Sequence, residues 1–457
     1  MKQIFLTVHN PIWSSASLTD SQDIFPALRF TAEFWRQTQY RRVRQEYQKA
    51  LIYKHEGDKS RFLFYTGLIK RVSAYLTEEG IPHVVFNETP PPIPFQRPSH
   101  PKFEFRDYQM ALMRTALVRQ RGYIEAATGS GKTALAVGLI SALPKNFMIV
   151  YLVHELTLLK QTKEAFEGVV FGHIGTFSGE HKSLGRVTVA TPQSLSKLGT
   201  IPHFDAIFID ECHHLSKDNC QYANLLRRID APIRYGLTAT GPDENEVEMT
   251  LVLEGLLGPK IGEFTIQEGI EKGVLAKPKV ILRKLPLNKK IKELHLYQDV
   301  YEAGVVQNQD LTNAVIKETK SLREKGLTSL VLVTKIEHGE IIKKAMYEAD
   351  MPVEFVWGDV EAEDRNRLRK EISNKEIWCI IANTVWKEGI DIPSLGAIIN
   401  ASGGKKERTV LQKIGRGLRV APDKTEILLI DFFNPSHYYL VSHFGERITL
   451  YFEEGWI

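Results

Sequence analysis

The stretch AATGSGKT at 126–133 constrains this chain more than any other. It follows the short apolar run GYIEA and precedes ALAVGLISAL, so a strand, a small-residue loop and a helix stand in that order. Small residues let backbone N–H groups close on a polyphosphate, and the helix that begins there adds its positive end. Thr128, Gly129, Ser130 and Gly131 form the loop, and Ala126 stands where the common pattern has its first glycine. Lys132 is placed to reach the β- and γ-phosphates, and the Thr133 hydroxyl to ligate Mg2+. Such a loop needs an acidic pair at a strand end, and DAIFIDECHH at 205–214 supplies it. Asp210 closes the apolar run and would hold Mg2+ through water, while Glu211 would orient and deprotonate an attacking water. Cys212, His213 and His214 lack the partner pair of a zinc site and read as packing or coupling residues.

The rest of the chain agrees with a nucleotide-binding α/β protein. Apolar runs at 147–153, 187–190 and 205–210 alternate with helix-like segments, and a second block repeats this at 329–333, 353–357, 377–382, 396–400 and 426–431. Alternation of this kind predicts parallel strands with crossover helices. Two tandem α/β domains are expected, at 102–285 and 286–457. LRKLPLNKKIKELHLYQDVYEA lies near their boundary and reads as connecting and helical sequence. Residues 88–101, ETPPPIPFQRPSHP, hold six prolines and read as an extended, semi-rigid spacer. It sets off a small α+β segment at 1–95.

Charge is informative locally rather than globally. Over 457 residues, 59 basic side chains face 55 acidic ones, a net of +4. Between Arg36 and Arg71, however, ten basic residues face three acidic ones, a surplus of seven. Arg41, Arg42 and Arg44 are candidate phosphate contacts. Tyr40, Tyr47, Tyr53, Phe62, Phe64 and Tyr65 interleave with the basic residues, either as stacking surfaces or as core. Three scattered cysteines exclude a disulfide framework. No run approaches the ~20 apolar residues of a membrane helix. A monomer in the cytoplasm is expected.

Taken in order, the motifs resemble those of a superfamily 2 helicase of the DExH kind, over residues 103–419. FEFRDYQ at 103–109 resembles the adenine-reading motif. The resemblance implies two tandem RecA-like domains with ATP between them. Phe103 and Arg106 would sandwich the adenine and Gln109 would bond its edge. LVHELTLLKQ at 152–161 is similar to motif Ia, with His154 where proline is usual. VTVATPQSL at 187–195 offers Thr191, Gln193 and Ser194 to a nucleic-acid backbone. DECH at 210–213 is motif II, which adds His213 to the catalytic set, and GLTAT at 236–240 is motif III. LVTKIEHGE at 332–340 resembles motif IV, with Thr334 and Lys335 facing the strand. TVWKEGIDIP at 384–393 resembles motif V, with Gly389 and Asp391 on the nucleotide and Thr384 on the strand. QKIGRGLR at 412–419 resembles motif VI, where Gln412, Arg416 and Arg419 share one helix face and the arginines suit a finger role.

EGIDIP, QKIGRGLR and FYTGLIKRV further resemble the bacteriophage UvsW-type branched-DNA helicases. That resemblance implies an ATP-driven DNA helicase or translocase on forks, Holliday junctions, D-loops or R-loops, in recombination, repair or replication. A DExH motor on RNA and an ATP-switched clamp without unwinding remain alternatives. A restriction-type translocase would need nuclease or methylation modules, and no domain-sized segment is left for them. Because every ATP motif lies after the proline spacer, the chain beyond residue 95 is expected to fold and hydrolyse ATP alone. The rival expectation is that 1–95 packs as a cap on the first RecA-like domain.

Overall fold

The computed structural model describes residues 3–37, 42–89, 91–179, 181–357, 362–383, 395–404, 426–453 and 455–457. The first segment comprises β1 (Ile4–Val8), β2 (Trp13–Ser17), α1 (Ser21–Leu28), β3 (Arg29–Gln37), β4 (Arg42–Ala50), β5 (Tyr53–Lys54), β6 (Arg61–Tyr65), α2 (Ile69–Glu78) and β7 (His83–Asn87). β1 shows a period of two: Ile4, Leu6 and Val8 are buried and Phe5 is exposed. Five strands form one sheet in the order β5-β6-β2-β1-β7, while β3 and β4 pair as a separate antiparallel ribbon. Ile24 and Leu28 of α1 and Val72 and Leu76 of α2 join Phe62 and Phe64 in the core. The aromatic residues of β6 are therefore core rather than a stacking surface.

The next elements are α3 (Asp107–Arg119), β8 (Arg121–Ala126), α4 (Lys132–Ala142), β9 (Ile149–Leu152), α5 (Leu156–Phe166), β10 (Ile174–Phe177), β11 (Lys182–Ser183), β12 (Val187–Ala190), α6 (Pro192–Ser196), β13 (Ala206–Asp210), α7 (Gln221–Leu226), β14 (Ile233–Thr238), α8 (Val247–Leu256) and β15 (Lys260–Phe264). They build an eight-stranded sheet ordered β11-β10-β12-β9-β13-β14-β8-β15. From β10 to β8 every neighbouring pair runs parallel. β9, β12 and β14 are buried along their whole length, as strands covered on both faces must be.

The second sheet is built by α9 (Ile266–Glu271), β16 (Lys277–Lys284), α10 (Lys289–Lys292), α11 (Tyr297–Tyr301), α12 (Gln309–Glu324), β17 (Thr328–Val333), α13 (Ile336–Glu348), β18 (Glu354–Val356), α14 (Ala362–Ser373), β19 (Cys379–Asn383), β20 (Leu395–Asn400), β21 (Glu426–Phe433) and α15 (Tyr438–Glu453). Its order is β16-β21-β20-β17-β19-β18, all parallel. Two tandem RecA-like α/β folds result, preceded by the small α+β segment.

The packing groups some residues differently from the expected boundaries. The chain divides into one compact unit of residues 1–126 and 131–263 and another of 127–130 and 264–457. The divide thus falls at 263/264 rather than 285/286, because β16 pairs with β21 along eight residues and so belongs to the second sheet. The segment before the spacer is also not a compact unit of its own. Tyr65 and Leu68 share one buried cluster with Val252, Leu253 and Leu256 of α8. A Cβ on Gly67 would stand 1.8 Å from the Glu254 carbonyl oxygen, so only glycine allows this backbone approach. The described residues of the proline-rich segment form no helix or strand, and they are fastened to the ends of α3 and α4. Its Ile93 N–H donates to Gln120 Oε1 (2.9 Å) and its Gln96 N–H to the Ala142 carbonyl (2.8 Å).

Candidate nucleotide and nucleic-acid site

The loop after β8 has the backbone a phosphate cradle needs. Gly131 sits at φ +90°, as does Gly129 at +88°, and a Cβ on Gly131 would come within 2.6 Å of Gln109 Nε2. Ala126 is fully buried where the first glycine is usual, so a methyl group is accommodated there. Lys132 opens α4 with Nζ 3.3 Å from the Ala126 carbonyl and 3.6 Å from Glu211 Oε1. Thr133 is exposed beside it. A lysine parked on the carboxylate expected to activate water is a cation waiting at the place where phosphate charge would sit.

Glu211 follows β13 in the left-handed region, at φ +48°. A non-glycine residue there costs about 1–3 kcal/mol and concentrates at functional sites. Burial disfavours its charge, yet Lys132, His213 and the Ala239 backbone N–H outweigh that and hold the carboxyl below its usual range. His213 Nδ1 lies 3.3 Å from Glu211 Oε2 and 3.0 Å from Thr238 Oγ1. Motifs II and III are thus joined by one imidazole. Its neighbour His214 lies tilted between His213 (ring centroids 4.5 Å) and His154 (4.6 Å), so the histidine at the usual proline position of motif Ia packs beside motif II. The Asp210 carboxylate accepts the Glu211 N–H (3.1 Å). Its oxygens and the Thr133 hydroxyl are hard donors that suit Mg2+, which would there neutralise phosphate charge.

The other expected residues divide. Gln109 is buried, and its carbonyl accepts the Arg106 N–H at 3.1 Å, capping α3. Part of the amide expected to read adenine is thus engaged with its own helix. Phe103 is 46% exposed and stacks on His100 with ring centroids 3.8 Å apart, and Arg106 is exposed. Thr191 and Ser194 bond to each other through their hydroxyls (2.9 Å), and Gln193 is exposed. In the second unit, Thr334 Oγ1 donates to the Ser402 carbonyl (3.4 Å) and Lys335 pairs with Glu302 (2.7 Å). Thr128, Gly129 and Ser130 group with that unit, where the Ala127 N–H donates to the Phe264 carbonyl (3.0 Å). On β4, Arg42 pairs opposite Gln37 and Arg44 opposite Trp35. Arg41, Thr384, Gly389, Asp391, Gln412, Arg416 and Arg419 lie outside the described residues.

Sequence reasoning missed one cluster. Asp218, eight residues after Asp210, receives Tyr53, Tyr65 (2.5 Å) and Arg227 (2.6 Å). Arg227 Nε also donates to Tyr65 Oη (2.7 Å), and Arg71 Nε to Glu254 Oε2 (2.7 Å). The signal was present in FYTGLIKRV, whose Tyr65, Gly67 and Arg71 all face the first large sheet's helices. Its likeness to a family signature hides its role as an interface.

Comparison with known proteins agrees with this geometry. The description "Type III restriction enzyme, res subunit" matches residues 102–243, and "Helicase conserved C-terminal domain" matches 309–421. A helicase of a Sulfolobus islandicus filamentous virus is 28% identical over 372 residues, 72% of this chain and 64% of the viral protein. The DNA 3'-5' translocase XPB2 of Sulfurisphaera tokodaii is 27% identical over 72% of this chain and 81% of that protein. The ATP-dependent DNA helicase uvsW of Enterobacteria phage T4 is 24% identical over 76% and 75%. Among solved structures, the Type ISP restriction-modification enzyme LlaBIII bound to DNA has a TM-score of 0.57 at 17% identity, over 85% of this chain and 34% of its own. With both helicase regions in series on two RecA-like sheets, the chain belongs to the superfamily 2 helicases, enzymes that couple ATP hydrolysis to work on nucleic acid.

Proposed function

We propose that the chain is an ATP-driven translocase on DNA that remodels branched substrates such as forks, four-way junctions and strand-invasion loops. The observation that carries the reading is the array Lys132–Glu211–His213–Thr238, in which the phosphate-binding lysine, the water-activating carboxylate and motif III are in contact. In this reading Thr133 and Asp210 hold Mg2+, Glu211 orients water, and His213 passes the state of the nucleotide to Thr238. Arg416 and Arg419 supply cations to the leaving phosphate, Gly389 and Asp391 contact the nucleotide, and Gln412 supports the arginine face. Phe103, Arg106 and Gln109 bind adenine. Thr191, Gln193, Ser194, Thr334, Lys335 and Thr384 hold one strand by its phosphates, and Arg41, Arg42 and Arg44 hold a second arm. The relatives XPB2 and uvsW carry DNA in their names, which favours DNA over RNA. The test is ATP turnover with single-stranded, duplex, forked and four-way DNA beside matched RNA. Strongest stimulation by forked or four-way DNA is expected; stimulation by RNA alone, or equal stimulation by plain duplex, sinks the branched-DNA reading.

A further inference from the structure

The segment NKKIKELHLYQDVY at 288–301, which sequence analysis treats as connecting material, builds an exposed aromatic surface on the second unit. Tyr297 is 42% exposed and the preceding Leu296 67%, at the start of α11; Tyr438 is 64% exposed at the start of α15. These rings rest on others rather than standing singly. Tyr297 meets Tyr439 edge-on at 5.5 Å and His443 at 5.4 Å, and Tyr438 lies 4.1 Å from Tyr439. The base is held by the Asn288 N–H on Ser436 Oγ (2.9 Å) and by His437 Nε2 on the Leu294 carbonyl (3.1 Å). Isolated exposed tyrosines are ordinary, but rings pre-set on a packed aromatic base lose little freedom when a further ring stacks on them.

Position and charge identify the occupant. Tyr301 Oη donates to the Ser402 carbonyl (2.6 Å), the same carbonyl that Thr334 reaches, and Ser402 and Thr334 lie just beyond the carboxyl ends of β20 and β17. Ligands of parallel α/β sheets gather at that edge. Lys335 Nζ sits 5.7 Å over the Tyr301 ring, and that ring is 6.0 Å from Tyr297. Lys289, Lys290 and Lys292 of α10 are exposed on the segment tied to His437. The carboxylates of the same stretch are Glu293, Asp299 and Glu302, and Glu302 is already paired with Lys335. Phenol rings interleaved with lysines suit flat, unpaired bases joined by phosphates better than an aliphatic protein surface.

We propose that Tyr297 and Tyr438 form a stacking ledge for unpaired bases of a single nucleic-acid strand, continuing the path that begins at Thr334 and Lys335, with the α10 lysines on its phosphates. The inference rests on the motor reading above. The experiment uses the full chain with a labelled oligothymidylate and a blunt duplex, titrated at several salt concentrations. Tyr297→Ala with Tyr438→Ala should weaken binding of the oligothymidylate about 10-fold and of duplex less than about 2-fold. The slope of log K against log salt should stay unchanged, since no phosphate contact is lost. Tyr297→Phe with Tyr438→Phe should restore binding, and Lys292→Ala should flatten the salt slope. Alanine variants with native circular dichroism that bind the oligothymidylate like the parent, or lose duplex binding equally, overturn the ledge alone. A parent chain that binds neither ligand overturns the motor reading and the ledge with it.

Discussion

At the scale of single residues, the site combines charge and strain. Lys132 stands against Glu211, which is held in a left-handed backbone and kept ionised by its cationic neighbours. Lys132→Ala should leave the fold and nucleic-acid binding in place but slow ATP hydrolysis by at least about 100-fold, the scale for losing one preorganised donor. Phosphate release by the purified variant, with circular dichroism as control, checks this. A second residue, His338, reports on stability rather than chemistry. It is fully buried on α13, and burial pushes its pKa down to about 4 from the ordinary 6.5. The unfolded chain therefore takes up a proton that the folded one refuses. The stability this contributes is complete above pH 6.5 and is lost as pH falls from there through 4. His338→Leu should flatten the dependence of the urea midpoint on pH in that window, by up to about 3 kcal/mol between its ends.

At the scale of elements, buried arginines close the helix ends. Arg234 on β14 is fully buried and donates to the carbonyls of Leu226 (3.1 Å), Ile229 (2.8 Å) and Leu256 (2.5 Å), which lie at the carboxyl ends of α7 and α8 or just beyond. Helix ends leave carbonyls without intrahelical partners, and burying them unpaired is costly. Burial lowers the Arg234 pKa to about 9, so it stays protonated at neutral pH. Arg234→Met fills similar space but supplies no donors. It should cost at least about 2 kcal/mol, read as a lower urea midpoint, without changing the ATP/GTP preference of the residual folded protein. α8 also carries the contacts of Glu254 and Gly255 with the first segment, and Asp218 stands just before α7, so a loss at Arg234 should spread to that interface.

At the scale of the whole molecule, the first segment is a packing partner of the first large sheet before it is anything else. Tyr65 and Leu68 are buried with α8, Gly67 lies against the Glu254 backbone, and Arg121 Nη1 donates to the Pro11 carbonyl (3.1 Å). Deleting residues 1–89 would uncover this apolar surface and leave Asp218 and Arg227 without Tyr53 and Tyr65. The truncated chain is expected to be insoluble or to lose native circular dichroism, contrary to the expectation from motif positions alone. A soluble truncation with native ellipticity and full ATP turnover would show the segment to be dispensable.

The sequence by itself determined what depends on local chemistry and spacing. Gly129 and Gly131 before Lys132, and Asp210 with Glu211 after an apolar run, mark the proposed phosphate site because those residue types must stand in that order. Apolar runs such as LVLV at 330–333 mark parallel strands because both faces are covered. Tertiary structure decided what depends on partners distant in sequence. β16 reads as a basic, half-exposed run, and only its pairing with β21 places it in the second sheet. Asp218 is an ordinary loop acid until Tyr53 and Tyr65, more than 150 residues earlier, converge on it. The same holds for Tyr297 and Tyr438: neither has a local pattern that marks it, and only the fold brings each ring against Tyr439.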